Sequence, residues 1–263
     1  MLVCAAFFVA FTMKKLLLIL LPLALLGCGD NNNTNQGGDN PAADGFDQEG
    51  SDPQAIMWAD AVMRAQGGRE AWDNTRYIGW NFFGNRKLLW DKHTGRVRIE
   101  VPKDSSIYLI NINEDSGRVQ TAGKEITDEQ ERKEWIEKGK QIWVNDSYWL
   151  VMPYKLKDSG VTLTYAGKDT LTGGKEAEVL ELRFKEVGYT PQNKYRVYID
   201  PADSLVKAWA YYENAAMDTP NFRSPWQDYQ QHGDILLSGD RGERQISDIR
   251  VAENVDGKLF EEF

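Results

Sequence analysis

The chain has few side chains that could act as nucleophiles, general bases or metal ligands. It contains two cysteines and two histidines. Cys4 and Cys28 both lie in the N-terminal 28 residues, whereas His93 and His232 lie in turn-like "KHTG" and "QHG" segments. The sequence holds no GxSxG, HExxH or GxxxxGK[ST] pattern, so the usual parts of serine hydrolases, zinc hydrolases and P-loop proteins are missing. We therefore expect no enzyme, no cofactor and no metal site.

Cys28 follows a segment with the layout of an export signal. From Met13 the chain reads "MKKLLLILLPLALLGC", which is two lysines, an apolar run and a small residue before the thiol. The apolar run is shorter than the about 20 residues that a transmembrane helix needs. Residues 1–12 are uncharged, so we take Met13 as the initiator. The sequence predicts a signal peptide at residues 1–27.

The stretch Leu25-Leu26-Gly27-Cys28 resembles the lipobox of bacterial lipoproteins. The resemblance implies that Cys28 is diacylated and that the signal is cleaved before it, which anchors the mature protein to a membrane. An ordinary secretory signal with an incidental cysteine is the alternative. Residue 29 is glycine, not the aspartate that retains some lipoproteins at the inner membrane. The resemblance therefore implies an outer-membrane location, with the domain in the periplasm or at the cell surface.

The charge balance argues against nucleic acid as a partner. The chain has 31 basic and 40 acidic residues, which give a net charge of −9. Nucleic-acid-binding surfaces need clustered Lys and Arg. Residues 28–52 are rich in Asn, Gly and Asp, with Phe46 as the single aromatic. This composition predicts a flexible tether that joins the acylated cysteine to a folded domain at 53–263.

The folded part begins with a helix signal and continues as strands. Asp52-Pro53 predicts a helix start that would bury Ile56, Ala59 and Met63, and the following two glycines would end the helix. About ten to eleven short apolar or alternating segments follow, beginning with "YIGWNFFG" and ending with "RQISDIRV". One longer helix interrupts them at 128–150. In it an apolar residue recurs every seven positions, as Trp135, Ile142 and Trp149.

Aromatic residues are the strongest remaining signal. All nine tryptophans follow residue 53. They could fill a core, because each buries a large apolar area. Nine indoles with polar N–H groups are many for a dry core, however, and they also suit a partly open cavity with polar rims.

Five segments carry a resemblance to the LolA/LolB-like lipoprotein-sorting superfamily, and in it to outer-membrane lipoproteins of unknown function. They are "AQGGREAWDNTRYIGWNFFG", "LLWDKHTGRVRIE", "YWLVMPYKL", "YTPQNKYRVYIDPADSLVKAWAYY" and "WQDYQQHGDILLSGDR". The resemblance implies a mainly β (α+β) fold, an open antiparallel β-barrel with a capping helix. In that superfamily the helix closes an apolar cavity that receives acyl chains.

We expect a membrane-anchored protein that binds a lipid, an acyl chain or another hydrophobic molecule in a half-barrel cavity. The candidate lining residues are Trp80, Phe82, Trp135, Trp143, Trp149, Met152 and Trp209. A glycan-binding surface lipoprotein with exposed tryptophans is an alternative, and so is a structural envelope protein without a ligand.

Overall fold

The structure is a computed structural model that describes residues 39–185 and 187–263. The predicted signal peptide, Cys28 and the first part of the predicted tether lie outside the described residues. The described part contains fourteen strands and three α-helices. No helix in it is both long and apolar enough to cross a bilayer.

Seven antiparallel strands form the first sheet, in the order β14-β1-β2-β3-β4-β5-β6. Their bounds are β1 (Tyr77–Phe82), β2 (Arg86–Asp91), β3 (Arg96–Val101), β4 (Ser106–Asn111), β5 (Ser116–Thr121), β6 (Lys124–Glu125) and β14 (Ile246–Ala252). Alternate residues point to opposite faces of a strand. Ile78, Trp80 and Phe82 of β1 accordingly share the face that is packed in the core.

A second sheet has five antiparallel strands in the order β11-β10-β9-β8-β7, and β12 and β13 form a separate hairpin. Their bounds are β7 (Val161–Thr170), β8 (Glu176–Phe184), β9 (Lys194–Ile199), β10 (Val206–Tyr212), β11 (Phe222–Pro225), β12 (Gln227–His232) and β13 (Ile235–Asp240). An isolated bridge from Asp240 to Gln245 connects the hairpin to the start of β14. The sheets do not close into a barrel, so the predicted open antiparallel fold is confirmed.

The strand count is higher than the ten to eleven predicted. The additional strands are β6, β11 and β12. A strand of two residues shows no alternation, and "QDYQQH" in β12 is almost entirely polar. Neither gives the apolar pattern on which strand prediction depends.

The first helix, α1 (Pro53–Ala65), starts where the sequence predicts, with Asp52 at the N-cap. Its buried face is made by Ala55, Ala59, Val62 and Met63, while Ile56 is only partly buried. A short second helix, α2 (Gly68–Asn74), follows directly and was not predicted. Its first residue is the glycine expected to end α1, which explains why the sequence pattern concealed it.

Residues 39–52 are packed on the domain, which corrects the predicted tether boundary. Phe46 is buried with the core of the second sheet. The N–H of Asp52 donates to Leu163 O over 2.9 Å, and its carboxylate accepts from Tyr165 N–H over 2.8 Å. An edge strand has unpaired N–H and C=O groups that need partners. The segment supplies these hydrogen-bond partners along β7. Phe46 adds an apolar contact with the core, which the polar composition of the segment does not indicate.

The third helix, α3 (Glu129–Val151), connects β6 at the edge of the first sheet to β7 at the edge of the second. The carboxylate of Asp128 caps it by accepting from Glu131 N–H over 2.9 Å. Its buried residues are Ile136, Gly139, Asp146, Ser147, Leu150 and Val151. The predicted stripe of Trp135, Ile142 and Trp149 is only partly buried. The buried face of the helix lies one position further along the chain, as Ile136 and Leu150 show.

Gly139 sets the distance between α3 and the first sheet. A Cβ at this position would lie 2.9 Å from a ring carbon of Tyr108 and 3.1 Å from the Ile110 side chain on β4. Glycine is unfavourable inside a helix. Here it lets the helix backbone approach the sheet more closely than any other residue would allow.

Asp91 is buried at the end of β2 between two arginines. Its Oδ1 accepts from Arg76 Nε over 3.2 Å, and its Oδ2 accepts from Arg96 Nη2 over 3.0 Å. Burial by itself raises the pKa of Asp91, but the hydrogen bonds from the arginines outweigh it and lower the pKa to about 2. The ionised carboxylate therefore stabilises the folded state.

We expect acid to remove this contribution. The pKa of Asp91 is lower in the folded than in the unfolded chain, so the stabilisation is complete above about pH 4 and disappears as the pH falls towards 2. The shift corresponds to about 2 kcal/mol in the free energy of unfolding. Asp91→Asn should lose this amount at neutral pH, and its urea midpoint should fall less than that of the wild type between about pH 5 and pH 2. Parallel decreases in both proteins would contradict the assignment.

Candidate ligand-binding cleft

A cleft of about 360 Å³ lies between α3 and the second sheet. This volume is at the lower end of the range of roughly 300–1,000 Å³ that is typical of small-molecule sites. It suits one hydrocarbon chain or a small ring system better than a lipid with several chains.

One face of α3 forms the first wall. It supplies Gln141, Val144, Asn145, Tyr148 and Trp149. Residues three and four apart lie next to each other on a helix surface, so these side chains are contiguous. The wall is polar at its N-terminal end and aromatic at its C-terminal end.

The second wall comes from four neighbouring strands. Val161 of β7, Phe184 of β8, Tyr195 of β9 and Trp209 of β10 line it. The strand register pairs Tyr195 with Tyr211 and Trp209 with Val197. Tyr195 and Trp209 are thus diagonal neighbours on one face of the sheet, and diagonal aromatic pairs are close enough to interact.

The aromatic rings of the two walls contact each other. The rings of Tyr195 and Trp209 are stacked with centroids 5.0 Å apart and an interplanar angle of 13°. The Tyr148 ring from α3 lies 5.5 Å from Tyr195 and 6.1 Å from Trp209. Trp149 meets Trp209 edge-on at 4.7 Å. Each such pair contributes about 0.5–1.5 kcal/mol beyond the buried area, so the rings form a rigid inner end of the cleft.

Two hydrogen-bonding groups in these walls have no partner among the described residues. They are the hydroxyl of Tyr148 and the indole Nε1 of Trp209. Burial raises the pKa of Tyr148 well above its usual value, and electrostatic interactions with Tyr195 and Asp158 add to the effect. Burial also raises the pKa of Tyr195 to about 12. Both phenols therefore stay neutral at physiological pH, and Tyr148 keeps a proton to donate.

The rim of the cleft is polar. Lys155 and Asp158 form an ion pair there, and Ser159 and Thr190 add hydroxyl groups. Tyr189 also lines the cleft, with 46% of its surface exposed. The cleft thus combines an apolar interior with a hydrated edge, which is the division that an amphiphilic ligand requires.

The structure brings two of the predicted site residues to this cleft, Trp149 and Trp209. Trp80 and Phe82 are buried in the core of the first sheet, and Met152 is fully buried at the end of α3. Trp135 and Trp143 are partly buried against the first sheet. None of these five is among the residues that line the cleft. Ligand contact by the seven residues remains a prediction.

Tyr148, Phe184 and Tyr195 line the cleft but were not predicted. Tyr148 precedes Trp149 on a helix whose heptad pattern drew attention to the tryptophan. Phe184 is the last residue of β8, and Tyr195 is the second residue of the neighbouring strand β9. Sequence alone shows aromatic residues at both places, but only the register reveals that they face the same side.

Neither histidine belongs to the cleft. The Nε2 of His93 lies 2.9 Å from Asp73 O in an exposed turn. His232 is at the end of β12, where burial lowers its pKa. In residues 39–185 and 187–263, no group of three or more His, Cys, Asp or Glu is arranged to hold a metal ion.

A second hollow of about 400 Å³ lies beside the first sheet. Charged residues such as Lys87, Arg98 and Arg250 line it together with Leu259. Arg98 Nη1 already donates to the carbonyls of Leu259 and Glu262 over 3.1 and 2.7 Å. The C-terminal residues of the chain thus use part of this surface, and the aromatic cleft is the stronger candidate.

No protein-family model and no curated protein matches the chain. Several solved structures are similar to it. A DUF1329 family protein from Desulfovibrio piger is 14% identical, with 81% of this chain and 98% of that chain covered and a TM-score of 0.44. A LolA superfamily protein from Nitrosomonas europaea is 8% identical, with coverages of 77% and 96% and a TM-score of 0.38.

A further similar structure is MucB, which is 14% identical, with 79% of this chain and 62% of MucB covered and a TM-score of 0.26. At such low scores and identities the likeness adds no argument about ligands or partners. The strand pairing and the residues of the cleft supply that argument.

Contacts of two buried charged side chains, Asp146 and Arg241, hold α3 in place. Arg86 makes a bidentate pair with Asp146, at 2.6 Å from Nε to Oδ2 and 2.7 Å from Nη2 to Oδ1. Arg241 donates from Nη2 to Trp149 O over 2.8 Å. Burial raises the pKa of Asp146 although Arg86 opposes it, so the pair costs desolvation energy. We infer that it specifies the position of α3 more than it stabilises the fold.

Removing one partner of this pair should therefore cost more than removing both. Asp146→Ala leaves the Arg86 guanidinium without its carboxylate and should lower the free energy of unfolding by about 3 kcal/mol. Asp146→Leu combined with Arg86→Met should lower it by less. Urea denaturation of the three proteins measures the difference. A double variant that is less stable than Asp146→Ala would contradict this inference.

Proposed function

We propose that the protein is an envelope lipoprotein, acylated at Cys28, whose folded domain binds a single-chain hydrophobic or amphiphilic molecule. The observation that carries the proposal is the aromatic cleft between α3 and the second sheet. Its role is binding rather than catalysis, because its described walls contain no histidine, no cysteine and no pair of carboxylates.

The chemistry of the walls supports a hydrocarbon ligand. Val144, Tyr148, Phe184 and Trp209 present apolar surface, which releases about 25 cal/mol for each Å² that a ligand removes from water. The unpartnered Tyr148 hydroxyl can donate a hydrogen bond to a polar atom of the ligand. A few placed polar groups in an apolar pocket are the usual basis of specificity.

The glycan-binding alternative has less support than the hydrophobic-ligand proposal. It requires tryptophans that are open to solvent so that sugar rings can stack on them. All nine tryptophans lie in the described part of the chain, and each is buried or only partly exposed. The most exposed large apolar side chains there are Met57, Tyr189, Phe222 and Leu259.

Filling the cleft tests the binding proposal. Val144→Trp adds an indole on the cleft face of α3 and should weaken binding of the apolar fluorophore N-phenylnaphthylamine at least about tenfold, the equivalent of roughly 1.4 kcal/mol. The measurement is a fluorescence titration of the purified chain. Val255→Trp is the matched control, because Val255 lies near the C-terminus and does not line the cleft. Equal affinities in both variants would show that the probe binds elsewhere.

The lipid anchor needs a separate test. Cys28→Ser removes the acylated sulfur and should move the protein from the detergent-rich to the aqueous phase in a phase-separation assay, since durable anchoring requires the acyl chains. Cys4→Ser is the control, because Met13 is the expected initiator and Cys4 would then be absent from the product. A serine variant at position 28 that still enters the detergent phase would disprove acylation there.

A further inference from the structure

The charges at the cleft are few and balanced. Of the described residues that line it, only Lys155 and Asp158 are charged, and they have opposite signs. The whole chain has a net charge of −9, so this balance differs from the acidic character of the protein. The cleft therefore presents one positive and one negative group, which pair with each other and leave no net charge.

Both charges are accessible to a ligand. Lys155 lies in the 3₁₀ turn that follows α3, and Asp158 lies three residues later, before β7. About a third of each side chain is exposed, at 33% and 34%. A partly exposed ion pair of this kind contributes only about 0.2–1 kcal/mol, so its two members can exchange partners at little cost.

The same segment connects the charges to the apolar wall. Val161, two residues after Ser159, is buried and lines the cleft with Phe184 and Trp209. The negative charge of Asp158 also adds to the rise in the pKa of Tyr148, whose main cause is burial. A hydrocarbon chain in the cleft would consequently have its polar end near Lys155 and Asp158.

Building on the proposed function, we propose that the ligand is a single-chain amphiphile with a zwitterionic headgroup that carries an ammonium and a phosphate, as in a lysophosphatidylethanolamine. The carboxylate of Asp158 binds the ammonium and the ammonium of Lys155 binds the phosphate. One internal ion pair is thereby replaced by two pairs with the ligand. An anionic headgroup gains Lys155 but is repelled by Asp158, and an uncharged headgroup gains neither contact.

Competition among headgroups tests this inference. The full chain is loaded with N-phenylnaphthylamine, and the probe is displaced by lysophosphatidylethanolamine, lysophosphatidylglycerol or an alkyl maltoside of equal chain length. We expect half-displacement by the zwitterionic lipid at about five- to tenfold lower concentration than by the other two. A fivefold to tenfold ratio corresponds to about 1–1.4 kcal/mol. Equal potency, or a preference for the anionic lipid, would overturn the headgroup assignment while leaving the proposed binding function intact.

A different outcome would reject the binding function itself. If the probe binds but no single-chain lipid displaces it, or if the probe does not bind, the cleft is not a lipid site and the headgroup inference fails with it. The two failures are therefore distinguishable in one titration series.

Charge variants identify the residues responsible. Lys155→Met and Asp158→Asn should each reduce the preference for the zwitterionic lipid to about twofold or less, and Asp158→Asn should strengthen binding of lysophosphatidylglycerol. The exchange variant Lys155→Asp with Asp158→Lys should retain the preference, because the headgroup can bind in the reverse direction. A general loss of folding would remove binding of every lipid instead.

The control is an ion pair outside the cleft. Lys168 and Glu176 pair across β7 and β8 over 2.6 Å and do not line the cleft. Lys168→Glu with Glu176→Lys should leave the order of the three lipids unchanged. Single variants at Lys155 and Asp158 that also leave this order unchanged would overturn the assignment.

Discussion

The architecture depends on how α3 packs: the helix lies closely against the first sheet at Gly139 and leaves a cleft on the side of the second sheet. Gly139 allows the helix to approach Tyr108 and Ile110 of the first sheet. The ion pair between Arg86 and Asp146 holds the helix in that position about two turns further along α3. The opposite face of the helix must span the remaining distance to the second sheet. The cleft is the part of this distance that its side chains do not fill.

Aromatic residues explain why the unfilled space does not collapse. Interiors normally pack as densely as organic crystals, and flexible aliphatic side chains would move into a gap of this size. The rings at the cleft instead support one another. Trp209 is stacked on Tyr195 and is met edge-on by Trp149, and Trp149 is itself stacked on Phe222 at 5.8 Å. Such mutual contacts hold each ring in place, as is usual for the apolar walls of small-molecule pockets.

The fold could be predicted from the sequence much further than the site. Eleven strand segments and the two longer helices carry apolar patterns that hydropathy detects, and all of them occur in the structure. The hydropathy pattern does not predict the buried face of α3, because three of its buried residues, Gly139, Asp146 and Ser147, are not apolar. The hydropathy pattern does not predict the cleft either, for another reason. Its wall depends on the register between β8, β9 and β10, and the nine-residue connection from Phe184 to Lys194 does not determine that register.

The N-terminal segment links the proposed anchor to the proposed binding site. Residues 39–52 lie along β7, where Gly45 O accepts from Gly160 N–H over 2.8 Å and Asp47 N–H donates to Val161 O over 3.0 Å. Ser159 and Val161, which line the cleft, therefore belong to the same stretch of chain that holds this segment. A lipid anchor at Cys28 would join the domain through a packed attachment beside the cleft. The backbone hydrogen bonds of Gly45 and Asp47 hold this segment against the edge of the second sheet, so the described part of the N-terminal segment belongs to the folded domain.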